Sequence, residues 1–492
     1  MTAHANLFLS KSRYIRGLQC HKSLYLYTYH PELRDEISED QQAVFDVGNA
    51  VGILAHSLFP GGVEIPFEGL SFSEQLRATA AEIKRGRPVL YEAAFQADGI
   101  FIKADILRKG GDGWEIYEVK SATSMKDLYL QDVGVQCLVL NKSGLPVSKA
   151  FVVYINNQYV RQGDLDVQAL FKIQEVTREV RAKENEIAQT ALTLKHMLQG
   201  PCPEIAVGSH CGNPYPCDFR GHCWADIPED SVLHLRGRGS YKLYEQGVRL
   251  MRDVPPEALS EAQQMQVLGT LEKRDFINIG NIKSFLDTLH DPLCYFDFET
   301  LTSAIPPFEG VRPYEQIPFQ FSLHIQEREG AEPRHYEFLA DPSEDHRKRL
   351  LEYLLSLIPG DACILAYNMA FEINCLNSMA SWFPRCRPGV EKMIGQFRDL
   401  MVPFRSRDLY LHGMNGSYSL KAVLPALIPE MSYGDLEIRE GGMASACFLK
   451  LAQVQDEEER KRLRRALLDY CERDTLAMVK ILEKLKSLHP QG

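Results

Sequence analysis

The chain has no run of ~18 consecutive apolar residues, which excludes a helix able to span a bilayer. Its start, MTAHANLFLSKSRYIRG, lacks the long apolar stretch of a secretory leader, so a cytoplasmic protein without a membrane partner is expected. It has no internal repeat and no low-complexity tract, which excludes a solenoid or an array. A positive charge balance is also missing. The net charge of -11 excludes a purely electrostatic nucleic-acid binder. It does not exclude metal-dependent chemistry on nucleic acid, because acidic ligands add negative charge that bound cations neutralise locally.

What is present reads as ordinary globular protein. The 492 residues are 45% hydrophobic and 25% charged. That length suggests two or three domains of about 100–200 residues, each able to bury a core. Composition turns polar and helical in pattern over about 225–290, with breaks at Pro255 and Pro256, before LCYFDFET starts a new strand-like run. The expected organisation is α/β throughout, with a first domain over 1–228, a helical linker over 229–290 and a second domain over 291–492. In the first, strands are predicted near 88–106, 114–120 and 150–156, a helix near 126–143, and one long helical segment over 165–200. In the second, strands are predicted at 294–298, 318–326, 334–339 and 362–366, with helices at 344–357, 370–379 and 455–486. Near the N-terminus, Lys11, Arg13, Arg16 and Lys22 form either a basic strip or a solvated helix face.

Twelve cysteines in a reducing compartment are thiols or metal ligands rather than disulfides. Cys137, Cys294, Cys363, Cys375 and Cys447 stand alone in apolar stretches and read as small core residues. HCGNPYPCDFRGHCW differs, placing Cys211, Cys217 and Cys223 at C-x5-C-x5-C spacing among Pro and Gly. Three close thiolates suit a soft or borderline metal. A fourth ligand could come from Cys20, Cys202, His210 or His222, and zinc is the default occupant.

Two carboxylate constellations carry the chemistry. In GIFIKADILRKGGDGWEIYEVKSA, Asp105 ends one strand, and Glu118 and Lys120 share a face of the next. Converging carboxylates can hold a divalent cation, and the lysine can stabilise charge on phosphorus. His56 lies upstream on a helix, Glu92 precedes the Asp strand, and Gln136 follows on a helix. The order His56, Glu92, Asp105, Glu118, Lys120, Gln136 resembles the RecB-like branch of the PD-(D/E)XK nucleases, over residues 10–225. The resemblance implies a restriction-endonuclease-like fold, with His56, Asp105 and Glu118 as metal ligands and Lys120 and Gln136 as catalytic partners. Leu140 stands where that family often has a tyrosine. The same resemblance implies that Cys20, Cys211, Cys217 and Cys223 hold a [4Fe–4S] cluster as a structural clasp, with zinc the alternative.

In the second constellation, YFDFET puts Asp297 and Glu299 on one face of a half-buried strand, costly unless cations neutralise them. ILAYNMAFE adds Glu372 on a helix after a turn at Asn368, and DYCERDTLAM sets Tyr470 and Asp474 at i and i+4. Such a set suits two-metal hydrolysis of a phosphodiester, with Tyr470 positioning or deprotonating the water. This order resembles the DnaQ-like (DEDD) 3′–5′ exonucleases of the tyrosine subtype, over residues 290–490, implying a ribonuclease H-like fold. The departure is Glu372, where that family usually has Asp. Asp399 reads as a surface acid, and SYSLKAVLPAL as structural.

Together the resemblances imply a nuclease with two Mg²⁺- or Mn²⁺-dependent modules acting on nucleic acid, DNA favoured over RNA, in repair, recombination or defence. Two other readings stay open. One keeps a single active module, the other half being a binding scaffold, with the Glu372 change pointing to the exonuclease-like half. The other is an iron–sulfur protein that binds nucleic acid without cutting it.

Overall fold

The computed structural model of the protein describes residues 8–488; part of the start read for a leader, residues 1–7, lies outside them. The fold is mixed α/β with several sheets. Among the described residues no helix is long and apolar enough to cross a membrane. The chain divides into two compact units. The first runs to Asp226 and also includes Ser303–Tyr314; the second comprises Ile227–Thr302 and the chain from Glu315 onward.

The first unit is built on a seven-stranded sheet of β1 (Leu9–Ser10), β2 (Val63–Glu64), β3 (Val89–Ala97), β4 (Ile100–Lys109), β5 (Trp114–Lys120), β6 (Val147–Ile155) and β7 (Phe171–Glu175). Its order is β2-β3-β4-β5-β6-β7, with β1 paired to β4. Asp98 and Gly99, both at positive φ, make the tight turn that joins β3 to β4 as a hairpin. The helix Asp127–Lys142 is buried along most of its length and covers one sheet face. Ser38 and Ser71 close capping boxes that start the helices Glu39–Ala55 and Phe72–Lys84.

The pleat of β3 and β4 breaks at one place. Residues two apart share a strand face, yet Leu90 and Ala93, and likewise Ala104 and Leu107, belong to one core cluster. Between them lie Glu92, at φ 54°, and Asp105. The β4–β5 ladder also stops at Ile106–Tyr117, one step short of Asp105 and Glu118. The strands open where the acids sit.

The second unit carries β8 (Phe276–Ile277), β9 (Leu293–Leu301), β10 (Ile317–Gln326), β11 (Arg334–Leu339), β12 (Cys363–Ala366), β13 (Phe397–Asp399) and β14 (Leu409–Tyr410). Five form a sheet in the order β11-β10-β9-β12-β13, with β12 parallel to both β9 and β13. One face of β9 and β10, bearing Cys294, Phe296, Phe298, Phe321 and Leu323, packs in an apolar core with the helices Arg347–Leu357 and Ala370–Trp382. The other bears Asp297, Glu299, Gln320, Ser322 and His324 and faces the 31-residue helix Glu457–Ser487, where Gln320 Nε2 donates to the Leu467 carbonyl at 2.8 Å.

Two expectations need correction. The stretch 229–290 is not a separate linker: β8 pairs with β14, and these residues belong to the second unit. The segment 165–200 is not one helix, because the alternating FKIQE forms β7, an edge strand on β6. The three-residue β13 was not anticipated. Cys137, Cys294, Cys363, Cys375 and Cys447 are all buried, as expected for core residues.

Candidate metal centres

In the first unit, Asp105 lies inside β4 rather than at its end, and the point where the β4–β5 ladder stops brings Asp105 and Glu118 together with Lys120. Lys120 Nζ donates to Glu118 Oε1 at 2.6 Å, and the Val119 amide donates to Asp105 Oδ2 at 2.7 Å. From the helix Asp127–Lys142, Gln136 Nε2 donates to Glu118 Oε2 at 2.6 Å, while Asp132, one turn earlier, pairs with Lys120. Asp132 was not anticipated from the sequence. Nor was Lys11, whose ammonium lies 2.9 Å from Glu118 Oε1 and 3.7 Å from both Asp105 Oδ1 and Asp132 Oδ1. Two of the four residues read as a basic strip are thus engaged in ion pairs: Lys11 with the acids, and Arg16 with Asp218.

The electrostatics are internally balanced. Burial tends to raise Glu118, but Lys11 and Lys120 overcome it and hold the carboxyl below its usual range. Burial and then Glu118 push Asp105 up to about 7. Burial works against the ammonium of Lys11, yet Asp105, Asp132 and Glu118 together raise it. Asp132 Oδ1, which faces the Lys11 ammonium at 3.7 Å, and Gln136 Oε1 are buried without hydrogen-bond partners, which leaves Gln136 Oε1 as the spare acceptor. His56 stacks face to face on Tyr91 at 4.0 Å. Glu92 is the charged neighbour that His56 and Asp105 share. Leu140 is in the core, where it can contact no ligand. Lys120 also borders a cleft of about 460 Å³.

The cysteines expected to act together do converge. Cys20, Cys211, Cys217 and Cys223 line one cavity with His210, whereas Cys202 is exposed and, like His222, is not part of that lining. Cys20 caps the helix His21–Tyr29, its sulfur accepting the Ser23 amide at 3.5 Å. Burial, then the neighbouring sulfurs, raise the Cys20 thiol. Four thiols lining one cavity are the donor set that an iron–sulfur cluster or zinc takes.

In the second unit, Asp297, Glu299, Glu372, Tyr470 and Asp474 border a single cleft of about 420 Å³. Strand β9 supplies the first pair, the first turn of Ala370–Trp382 supplies Glu372, and Glu457–Ser487 supplies Tyr470 and Asp474. Asn368, at φ 72°, makes the turn before Glu372. Asp399, expected at the surface, is buried; it accepts from the amides of Asn368 at 3.0 Å and Met401 at 3.1 Å and so fixes that turn.

Here the acids crowd with little compensation. Burial, then Asp474, Glu299 and Glu372, push Asp297 well above its usual range. Burial and Asp474 do the same to Glu299, against a smaller opposing pull from Lys421. Glu372 rises to about 8 and Asp474 to about 6, each chiefly through burial. Glu372 is 2% exposed and its Oε2 is buried without a partner, so the longer side chain still delivers a carboxylate into the cluster. Crowded carboxylates and an orphaned acceptor fit divalent cations. Burial and the neighbouring acids also raise Tyr470, so in the metal-free cleft it is a protonated phenol.

Two more groups went unanticipated. Tyr433 donates from its hydroxyl to Asp474 Oδ1. Lys421, in the segment read as structural, sits 5.5 Å and 5.2 Å from the rings of Tyr433 and Tyr470. Neither carries a local pattern, since both reach the acids from segments distant from them in sequence.

Residues 294–419 match a family model described as a domain of unknown function (DUF2779). Two curated relatives are similar to part of the chain. The uncharacterized protein MG366 homolog of Mycoplasma pneumoniae is 26% identical over 260 residues, 49% of this chain and 39% of the relative. The uncharacterized protein MG366 of Mycoplasma genitalium is 27% identical over 230 residues, 43% of this chain and 34% of the relative. The aligned part thus spans well under half the length of either. Among solved structures, one titled "Crystal structure of SSO0001" aligns at TM-score 0.23 and 12% identity, covering 40% of this chain and 79% of that one.

Proposed function

We propose that the protein is a metal-dependent nuclease whose principal catalytic centre is the acidic cleft of the second unit. The observation that carries this reading is the meeting of Asp297, Glu299, Glu372 and Asp474 in one open cleft, with their charges little compensated and Glu372 Oε2 unpartnered. These four residues would hold Mg²⁺ or Mn²⁺, which supplies charge stabilisation at phosphorus and acidified water. The chain's own contribution is positional. Tyr470 orients a water by donating its phenolic proton, Tyr433 fixes Asp474, and Asp399 fixes the turn that presents Glu372. The reading is of a ribonuclease H-like exonuclease of the tyrosine subtype, acting on DNA ends or single strands.

The first unit supports a RecB-like nuclease module with Asp105, Glu118, Lys120 and Gln136 at its centre, and a [4Fe–4S] clasp on Cys20, Cys211, Cys217 and Cys223. A second reading, in which this module binds without cutting, is favoured by one observation: Lys11 fills the space among Asp105, Glu118 and Asp132 with a positive charge of its own. End-labelled single- and double-stranded DNA and RNA, incubated with and without Mn²⁺, test both readings. Cleavage that needs Mn²⁺ and is lost in Asp297→Asn supports the proposal. Cleavage unchanged in Asp297→Asn and Asp474→Asn but lost in Asp105→Asn assigns the activity to the first unit instead. Anaerobic purification with iron analysis tests the clasp.

A further inference from the structure

On the acid-bearing face of the second unit's sheet, away from the cleft, three metal-ligating side chains meet. His324 on β10 and His335 on β11 are directly opposite in the antiparallel register, and their imidazoles stack with centroids 4.5 Å apart. Glu472 comes from the helix Glu457–Ser487, its Oε1 3.6 Å from His335 Nδ1. One ligand atom from each of the three lies within 4.8 Å of the other two.

Each imidazole already has one nitrogen engaged. His324 Nδ1 is 2.9 Å from Thr475 Oγ1, and His335 Nε2 is 2.9 Å from Ser322 Oγ. The two hydroxyls are 2.6 Å apart, so a single chain of hydrogen bonds holds both rings. Metal-bound histidines are oriented in this way, the second nitrogen fixing tautomer and ring plane. Here it leaves His324 Nε2 and His335 Nδ1 available, the latter facing Glu472. Burial, with His335 adding to it, pushes His324 down to about 4, so near neutrality it is the neutral, ligating form. His335 and Glu472 are partly exposed, which leaves solvent access on one side.

We propose that His324, His335 and Glu472 form a binding site for one zinc-class divalent cation, with a water completing its coordination. Two imidazoles and a carboxylate with an open fourth position are a donor set that zinc accepts. Nitrogen donors disfavour magnesium, which separates this site from the all-carboxylate cleft. The cation ties β10 and β11 to the helix that carries Tyr470 and Asp474, so it holds two cleft residues in place from behind. The proposal stands on this cluster alone and does not depend on what the cleft hydrolyses.

Crystals of the full chain grown with Zn²⁺, with data collected on both sides of the zinc absorption edge, give the direct test. An anomalous peak within bonding distance of His324, His335 and Glu472 is expected; a map with no peak there overturns the proposal. In solution, Co²⁺ titrations compare the full chain with a His335→Gln, Glu472→Gln double variant whose unchanged circular dichroism shows that it is folded. The variant should lose about one equivalent of cobalt, showing ligand-field bands without thiolate charge transfer. Equal cobalt binding by the two proteins contradicts the site. Should the variant not fold, the anomalous map decides.

Discussion

The two acidic clusters answer the same electrostatic problem in opposite ways. In the first unit, Asp105, Glu118 and Asp132 surround two ammonium groups, Lys11 and Lys120, and the pairs close at hydrogen-bonding distance. In the second, Asp297, Glu299, Glu372 and Asp474 have Lys421 and Arg473 only as more distant cations, and Arg473 is itself paired with Asp435. Buried like charges are tolerated only with compensation. The first cluster carries its own. The second carries little of its own, and under the proposed function this makes it the stronger candidate for a divalent-metal centre. A carboxylate cluster is therefore better judged by the cations the chain places inside it than by the number of its acids.

The largest effect that sharpens this contrast is on cleavage. Asp297→Asn or Asp474→Asn should lower Mn²⁺-dependent hydrolysis by about 10³-fold or more, measured by single-turnover assays on end-labelled DNA. An equal loss in Asp105→Asn would break the contrast by giving both clusters the same role.

Next comes Lys11→Met, which turns the first cluster into one like the second. Removing one partner of a buried ion pair costs about 3–5 kcal/mol. Denaturant titration should show a loss of that order, partly restored by Mn²⁺. Lys421→Met, removing a cation that makes no close ion pair, should cost about 1 kcal/mol or less.

Third, Mn²⁺ at about a hundredfold over its dissociation constant should stabilise the wild-type protein by about 2.7 kcal/mol. That gain should vanish in an Asp297→Asn, Glu299→Gln double variant, as read by thermal melts.

The smallest effect is a slope with pH. Glu372 and Asp474 have folded values raised to about 8 and about 6. A raised carboxyl contributes stability that is complete below its unfolded value near about pH 4 and is lost as pH rises through the folded value. Metal-free protein should therefore lose stability between about pH 5 and 8 in urea titrations, and Mn²⁺ should flatten the slope. In the first cluster Asp105 is raised to about 7 and Asp132 is raised as well, while Glu118, held low, titrates below this window, so that cluster adds to the slope rather than cancelling it.

Much of both clusters was legible because strand and helix periods are local. Alternation put Glu118 with Lys120 and Asp297 with Glu299, and a helical turn put Tyr470 with Asp474. Compensation was not legible, because it arrives from far along the chain: Lys11 and Glu118 are 107 residues apart, and nothing around Lys11 marks it. The pleat break at Glu92 and Asp105 was equally hidden, since it depends on a left-handed backbone at a residue with no turn signal. In contrast, the strand Phe171–Glu175 could have been read from its alternation, which the surrounding helical pattern masked. The burial of Asp399 was not legible, because a buried acid and a surface acid look the same in sequence until the amides it accepts from are in place.

Manganese binding to the full chain, followed by electron paramagnetic resonance, tests the difference between the clusters most directly. The wild-type protein should bind Mn²⁺ in sites that the Asp297→Asn, Glu299→Gln variant lacks and the Asp105→Asn variant keeps. Undiminished Mn²⁺ binding by the Asp297→Asn, Glu299→Gln variant would contradict the claim that the second unit's acids are the ones that take their counter-charge from solution.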